Sequence, residues 1–240
     1  MQTDRRSRSR EARRASFLAA ARALVDEGGV EAITIKAVAD RVDCAVGTLY
    51  SSFASKSALV AALQADAIGR LGTADAHAAE VLDAHDLAGL DVDTAALARL
   101  VSFGRATIAA ERVLPDDYRL QQRLLGSRGD YEAVDLAVVV PAAFAVLARP
   151  EQLLREAVAL GLLDAGDAFD RTITWVAAIN GVLALATIQL PGEGFKAAEL
   201  ADRLQLDLLV GWGANPANLI VAAAHVPLER MAILMMEAGR

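Results

Sequence analysis

Apolar residues recur at helical spacing along most of the chain. Phe17, Leu18, Ala21, Leu24 and Val25 fall at i, i+1, i+4, i+7 and i+8, so they share one face of a helix over residues 10–27. The same periodicity predicts later helices at 94–112, 116–126, 132–160, 168–190, 196–212 and 216–238, the third of them kinked or broken near Pro141 and Pro150. No alternating strand pattern of comparable length competes, so the predicted fold class is all-α.

Two short helices are predicted directly after the first one. Gly28 and Gly29 end the first helix, and Thr34 is an N-cap for a second helix over residues 34–42. Residues 43–45 leave room only for a tight turn, in which Asp43 tolerates left-handed geometry, before a third helix over 45–53. Ser55 then caps a longer helix over residues 56–71.

These helices are predicted to pack into a compact head. Its core is expected to contain Phe17, Leu24, Val38, Leu49 and Phe53. We interpret residues 5–10 as a disordered basic arm. Residues 72–94 are polar and acidic, and we interpret them as a partly helical linking segment between head and body.

Composition fits closely packed helices. Of the 240 residues 55% are hydrophobic but only 5% aromatic, so Ala, Leu and Val must supply most of the core. The single cysteine, Cys44, excludes an intrachain disulfide. The chain opens with a polar, arginine-rich segment instead of a signal peptide, which predicts a cytoplasmic protein.

Two uncharged stretches of 21 residues, 172–192 and 208–228, are long enough to cross a membrane. The first contains Asn180 and several other polar residues, and the second is interrupted by Gly211, Gly213 and Pro216. We therefore predict buried or dimer-facing helices and no membrane partner.

Charge is distributed unevenly between the two ends of the chain. The net charge is −7, which by itself argues against nucleic acid as a partner. Residues 1–56 nevertheless carry ten Lys or Arg and seven Asp or Glu, giving +3, whereas the remainder carries 14 bases and 24 acids, giving −10. A basic head on an acidic body is typical of a DNA-binding protein.

The segment 34–56 resembles the DNA-binding domain of TetR-family regulators. The strongest match is Gly47-Thr48-Leu49-Tyr50, followed by Phe53, Lys56 and Leu59, and the first helix with Phe17 and Leu24 also fits. The resemblance covers about residues 10–65 and departs from the family pattern at Asp43, Cys44 and Ser52, where glycine, an aliphatic residue and histidine are common.

The resemblance implies a helix-turn-helix DNA-binding domain over residues 10–56 and a larger helical ligand-binding and dimerisation domain over 57–240. It further implies a homodimer that binds palindromic operator DNA. No catalytic residue, metal or cofactor is expected.

Nine residues of the head form the predicted DNA site: Thr34, Lys36, Ala45, Val46, Gly47, Thr48, Tyr50, Ser52 and Lys56. Residues 45–47 make the leading end of the recognition helix slim enough for the major groove. Gly47 fits either a close approach to DNA or packing against the second helix. Thr48 suits a thymine methyl or a phosphate, and Tyr50 suits a phosphate or, alternatively, a half-buried position in the core. Lys56 lies in the first turn of its helix, where phosphate is favoured.

In the body, helices 168–190 and 196–212 are predicted to form the dimer interface. Small residues on the first of them allow close approach: Ala177, Ala178, Gly181, Ala184 and Ala186. The predicted ligand chamber contains Phe103, Thr107, Tyr131, Phe144, Trp175 and Asn180, although each also fits an ordinary core. The aliphatic surplus favours an apolar or amphipathic effector.

Catalytic and cofactor motifs are absent from the sequence. There is no Gly-x-Ser-x-Gly, phosphate-binding loop, His-Glu-x-x-His or paired-cysteine motif. Acidic residues and histidines between 75 and 86 fit a solvated linker better than a metal site. Two hypotheses remain. The first is a ligand-responsive DNA-binding regulator, and the second is a small-molecule-binding protein or enzyme with a vestigial head. A gel shift with the DNA upstream of the protein's own gene would separate them.

Overall fold

The computed structural model describes residues 2–126, 132–187 and 196–238, and within these ranges the chain is helical and contains no strand. The helices are α1 (Gln2–Gly28), α2 (Ile35–Arg41), α3 (Val46–Tyr50), α4 (Lys56–Val81), α5 (Val92–Val113), α6 (Pro115–Gly126), α7 (Ala133–Ala159), α8 (Ala168–Ala184), α9 (Ala197–Gly211), α10 (Pro216–Ala224) and α11 (Leu228–Glu237). The all-α prediction is confirmed.

Two side-chain caps and a tight turn set the starts of α2, α3 and α4, as predicted. The Thr34 hydroxyl accepts a hydrogen bond from the Ala37 amide at 3.0 Å and caps α2. Asp43 has a φ of 51°, the left-handed conformation expected for the turn between α2 and α3. The Ser55 hydroxyl accepts from the Ala58 amide at 3.1 Å and caps α4.

The chain forms two compact units whose division falls inside α4 and α7. Unit 1 comprises Met1–Gly69 and Asp116–Ala143, and unit 2 comprises Arg70–Pro115 and Phe144–Arg240. The functional boundary expected after residue 56 stays a prediction.

Unit 1 has a single apolar core built from α1 to α4 and α6. The predicted core residues Phe17, Val38, Leu49 and Phe53 are buried in it, with Leu24 packed against it at partial burial. Leu120 of α6 belongs to the same core, which the sequence did not indicate. The head is therefore larger than three helices.

Unit 2 is organised around α5, which packs against α8, α9, α10 and α11. Most of α5 is buried, including Phe103, Ser102 and Arg105. Surrounding helices supply buried aliphatic and aromatic residues, among them Trp175 and Leu209. A helix enclosed on most sides must carry small and apolar residues almost throughout, as α5 does.

The prediction of a disordered arm over residues 5–10 is wrong, because α1 begins at Gln2. Arg, Glu and Ala have high intrinsic helix propensity and neither Gly nor Pro interrupts the segment, so the helix continues beyond its packed part.

The segment 72–94, predicted as a partly helical link, is mostly helical and is part of unit 2 instead of a separate link. Helix α4 runs to Val81 and continues as a π-helical turn, Leu82–Asp86, and the break comes only at Gly89, whose φ is 86°. Ala74, Ala78 and Leu82 are buried at i, i+4 and i+8, a helical stripe hidden among polar neighbours.

Two other predicted breaks differ from the structure. Helix α7 is continuous through Pro141 and Pro150, whereas the single helix predicted over 216–238 is two helices bent by 45°. Pro227 stands at the N-cap of α11, where its missing amide hydrogen costs little.

One described helix, Ala133–Ala159, is long and apolar enough to cross a membrane, and the bent pair α10–α11 passes the same test together. Neither stretch considered in the sequence forms one long helix, because α8 ends at Ala184 and residues 208–228 contain the break between α9 and α10. Length and composition alone are weak evidence for a span. Most of the apolar window of α7 is exposed in this chain, although Arg149 near its C-terminal end pairs with the buried Asp75 at 2.7 Å.

Candidate nucleic-acid interface

Helix α3, the predicted recognition helix, presents one face to solvent and one to the core of unit 1. In α3 the Leu49 side chain is fully buried, whereas Val46, Gly47 and Tyr50 are exposed, as is the N-cap residue Ala45. Tyr50 is 52% exposed, so about half of its surface is open to a partner, and its contact with phosphate stays a prediction. Thr48 and Ser52 are half-buried at the edge of this surface.

Gly47 lies against open space. A Cβ atom built at Gly47 meets no heavy atom within 4 Å, so the glycine does not serve packing against α2. Glycine in a helix costs about 1 kcal/mol relative to alanine. The remaining explanation from the sequence is close approach of DNA to the backbone.

The other predicted contact residues lie at helix starts on the surface of unit 1. Thr34 and Lys36 are exposed at the start of α2, and Lys56 is exposed as the first residue of α4. Amide hydrogens and the helix dipole at such positions favour phosphate.

Arg14 is a residue of this region that the sequence did not single out. Its Nη1 donates a hydrogen bond to the Ser52 carbonyl at 3.2 Å, and its guanidinium lies 4.4 Å from the centre of the Phe53 ring. Phe53 in turn packs edge-on against Phe17. Arg14 thus ties α1 to the turn between α3 and α4.

Helix α6 supports the same unit through buried polar contacts. The Gln64 amide donates to the Leu120 carbonyl at 3.1 Å, and Arg22 of α1 pairs with Asp117 of α6. Burial, followed by Asp116, raises the pKa of Asp26. Burial also raises the pKa of Asp66 and of Asp117, although Arg22 opposes both shifts.

In unit 2 the structure brings together part of the predicted ligand chamber. The Phe103 and Trp175 rings contact edge-on with centroids 5.4 Å apart, and Trp212, which was not predicted, lies 6.4 Å beyond Trp175. Trp175 is fully buried, and its indole Nε1 has no hydrogen-bond partner among the residues that the structure describes. A buried donor without a partner is costly, and a ligand acceptor would relieve that cost.

The other predicted chamber residues are placed less favourably. The Thr107 hydroxyl donates to the Phe103 carbonyl, and the buried Asn180 amide donates to the Val176 carbonyl at 2.8 Å. Phe144 is 53% exposed and stacks on Phe169. Tyr131 lies outside the described residues. The sequence could not separate these cases because each residue type is common in cores.

A buried polar network in unit 2 was missed by the sequence interpretation. Arg105 of α5 pairs with Asp202 of α9 through two contacts of 2.7 and 2.8 Å and donates to the carbonyls of Ala223 and Val226. Asp202 accepts from the Gln205 amide, whose Oε1 is buried without a partner. The Arg105 charge is therefore compensated within the protein.

The predicted dimer helices leave an apolar stripe at the surface of unit 2. Ile173, Ala177, Gly181, Ala184 and Leu185 of α8 and the following turn are exposed at helical spacing. Ala178 is half-buried and Asn180 is buried, so neither belongs to the stripe. Among the described residues no three His, Cys, Asp or Glu side chains are arranged to hold a metal ion.

Comparison with known proteins agrees with this architecture. Residues 17–63 match the family model described as bacterial regulatory proteins, tetR family. Over this N-terminal segment the chain is similar to the domain that the family model describes. The chain is 50% identical over 50 residues to the HTH-type transcriptional repressor KstR of Mycobacterium tuberculosis and 49% identical over 53 residues to KstR of Rhodococcus jostii. These matches cover 21% and 22% of this chain and 23% and 25% of the relatives, so the chain matches about a quarter of their length.

Solved structures share the fold along most of the chain. A protein of unknown function from Rhodococcus sp. RHA1 superposes with a TM-score of 0.63 at 20% identity, covering 83% of this chain and 94% of that one. RolR in complex with resorcinol superposes with a TM-score of 0.63 at 19% identity, covering 92% and 98%. At such identities the likeness concerns the fold.

Proposed function

We propose that this protein is a cytoplasmic, non-enzymatic transcriptional repressor that binds operator DNA through unit 1. The observation that carries the proposal is the surface of α3, where Gly47 faces open space next to the exposed Tyr50 while Leu49 fixes the helix to the core. A helix held from behind and slim in front suits the major groove. The KstR relatives, named as repressors, support the direction of regulation.

We further propose that the repressor acts as a homodimer through α8 and α9. The exposed stripe of Ile173, Ala177 and Gly181 supports this, since small and apolar side chains allow two helices to pack closely. Two heads related by a two-fold axis then bind a palindromic site.

An apolar or amphipathic small molecule is proposed to bind unit 2 and release the DNA. The support is the unpaired indole N–H of Trp175 between the Phe103 and Trp212 rings, which suits an aromatic ligand with a hydrogen-bond acceptor. Because Arg105 is already paired with Asp202, the effector is expected to be uncharged. The resorcinol complex of RolR makes small aromatic compounds the first to test.

The experiment that tests DNA binding is selection of duplexes from a random library, followed by gel shift of the enriched sequence. We expect an enriched palindrome that binds the protein more tightly than scrambled DNA of the same length. Failure to enrich any sequence, with equal binding to all duplexes, would favour the alternative of a vestigial head on a small-molecule-binding protein or enzyme.

A further inference from the structure

The N-terminal half of α1 does not pack against the core of unit 1: residues 8–16 contribute no buried apolar side chain. Phe17 is the first buried residue of α1, and between residues 8 and 16 only Arg14 is even half-buried. At 1.5 Å per residue, the segment from Gln2 to Ser16 is about 22 Å long. The packed core does not account for this length.

This segment is strongly basic. Residues 2–16 contain six arginines and two acidic residues, a net charge of +4 in a protein whose net charge is −7. Arg6, Arg10, Arg13 and Arg14 follow i, i+4, i+7 and i+8, so these positions lie on one face of the helix. Asp4 and Glu11 lie beside this face rather than within it. We refer to Arg6, Arg10, Arg13 and Arg14 as the basic face.

The basic face ends next to α3. Arg14, its last member, donates to the Ser52 carbonyl and stacks on Phe53, both of which follow α3 directly. From Arg14 the helix continues toward its N-terminus for about another 18 Å. A duplex bound by α3 therefore lies within reach of arginines placed further along α1.

We propose that the N-terminal half of α1 is a second DNA-binding surface, which contacts phosphates flanking the bases read by α3. The inference rests on the proposed function and extends it. Arg10 and Arg13 are exposed one helical turn apart, which suits contacts with a phosphate backbone, and such contacts contribute affinity without base specificity. Duplex DNA is favoured over an acidic protein partner because the basic face ends next to the element that contacts DNA.

The test compares two duplexes that carry the selected palindrome, one trimmed to the enriched positions and one extended by about ten base pairs at each end, more than the helix can span at 3.4 Å per base pair. The face variant is Arg10→Gln/Arg13→Gln. The matched control is Arg5→Gln/Arg8→Gln, which removes the same charge at positions off the basic face. Circular dichroism confirms equal helicity.

Wild type is expected to bind the extended duplex more tightly than the trimmed one, and the control variant is expected to keep this gain. The face variant should lose it and should lower the slope of log affinity against log salt by up to about 3.6 on the extended duplex, for four phosphate contacts in a dimer. On the trimmed duplex all three proteins should bind alike. Equal losses in the face and control variants, or no gain from flanking DNA in wild type, would overturn the inference while leaving operator binding intact. Enrichment of no sequence at all would overturn the proposed function and the inference together.

Discussion

Gly47 lies on the surface of unit 1 that is proposed to contact DNA. Gly47 lies in the five-residue helix α3, where most residues other than glycine would give a more stable helix. Among the described residues no atom lies close enough to Gly47 to explain it. The open space in front of Gly47 is consistent with the proposal that DNA approaches α3 there.

Gly47→Ala is expected to raise the free energy of unfolding by up to about 1 kcal/mol, because the added methyl meets open space and improves helix propensity. Operator affinity should nevertheless fall, since the methyl stands where DNA comes close. Chemical denaturation and gel shift measure the two effects. Gly69→Ala is the matched control: Gly69 is an exposed glycine of α4, also against open space, so stability should rise with operator affinity unchanged. Undiminished operator binding by Gly47→Ala would contradict the assignment.

Thr48 and Lys56 are predicted to contribute to DNA binding in different ways. Thr48→Ala should cost about 1–3 kcal/mol per half-site on the selected operator and little on scrambled DNA, if its side chain contacts a base. Lys56→Ala should weaken both duplexes equally and reduce the salt slope by about 1 per subunit, as expected for a phosphate contact. Titrations of both variants on both duplexes separate these outcomes. Equal losses for Thr48→Ala on the two duplexes would make Thr48 a backbone contact.

At the scale of helices, two carboxylates with opposite pKa shifts, Asp66 in α4 and Asp91 before α5, make the stability of the fold depend on pH. Burial raises the pKa of Asp66, and Arg22 only partly compensates. The opposite case is Asp91, the N-cap of α5, whose pKa is lowered by the hydrogen bond from the Thr94 amide at 2.9 Å. The two carboxylates therefore affect stability with opposite signs.

Asp66→Asn is expected to be more stable than wild type at pH 7, because a group with a raised pKa contributes stability that is lost as the pH rises through that pKa. The difference should vanish below the ordinary aspartate pKa of about 3.9. Asp91→Ala should be less stable at pH 7, since the stabilising contribution of a lowered pKa is lost only as the pH falls through it. Denaturation curves from acidic pH, below the ordinary aspartate pKa, up to neutral pH measure both differences. A destabilised Asp66→Asn at neutral pH would show that its pairing with Arg22 outweighs its burial.

The helices show which features of the fold the sequence could predict. Caps and turns were predictable at Thr34, Asp43 and Ser55, because each acts on neighbours within three residues. The length of α4 was not, because the burial of Ala74 and Ala78 depends on partners distant in sequence. Gly72 directly follows the predicted end of this helix but lies within α4. A Cβ at Gly72 would stand 2.7 Å from Val146, so this glycine permits close helix packing.

The same limit applies to the functional residues. Exposure of Lys36 and Lys56 followed from their places at helix starts, whereas the sequence left Tyr50 open between the surface and the core. Arg14 and Asp202 were not, since an arginine or aspartate in a polar stretch gives no sign of its partner. In unit 2 the ring contacts of Trp175 join residues 72 and 37 positions away, which no spacing rule connects.

At the scale of the whole molecule, ligand binding in unit 2 is expected to oppose operator binding in unit 1. Both tryptophans, Trp175 and Trp212, belong to unit 2, so their fluorescence reports binding there without interference from the head. Uncharged aromatic compounds that quench this fluorescence are the candidate effectors, and Trp175→Phe should weaken their binding by removing the N–H donor while retaining an aromatic ring.

If an effector weakens operator binding a hundredfold per dimer, the coupling is about 2.7 kcal/mol, within the usual range for allostery. Coupling of binding equilibria is reciprocal, so saturating operator must weaken effector binding by the same factor. Calorimetric titration of each quenching compound, with and without the selected operator, measures both sides of this relation. Identical affinities in the two titrations for every compound that binds would leave a DNA-binding protein without a ligand switch, whereas unequal factors in the two directions would show that the compound acts on something other than the DNA-binding equilibrium.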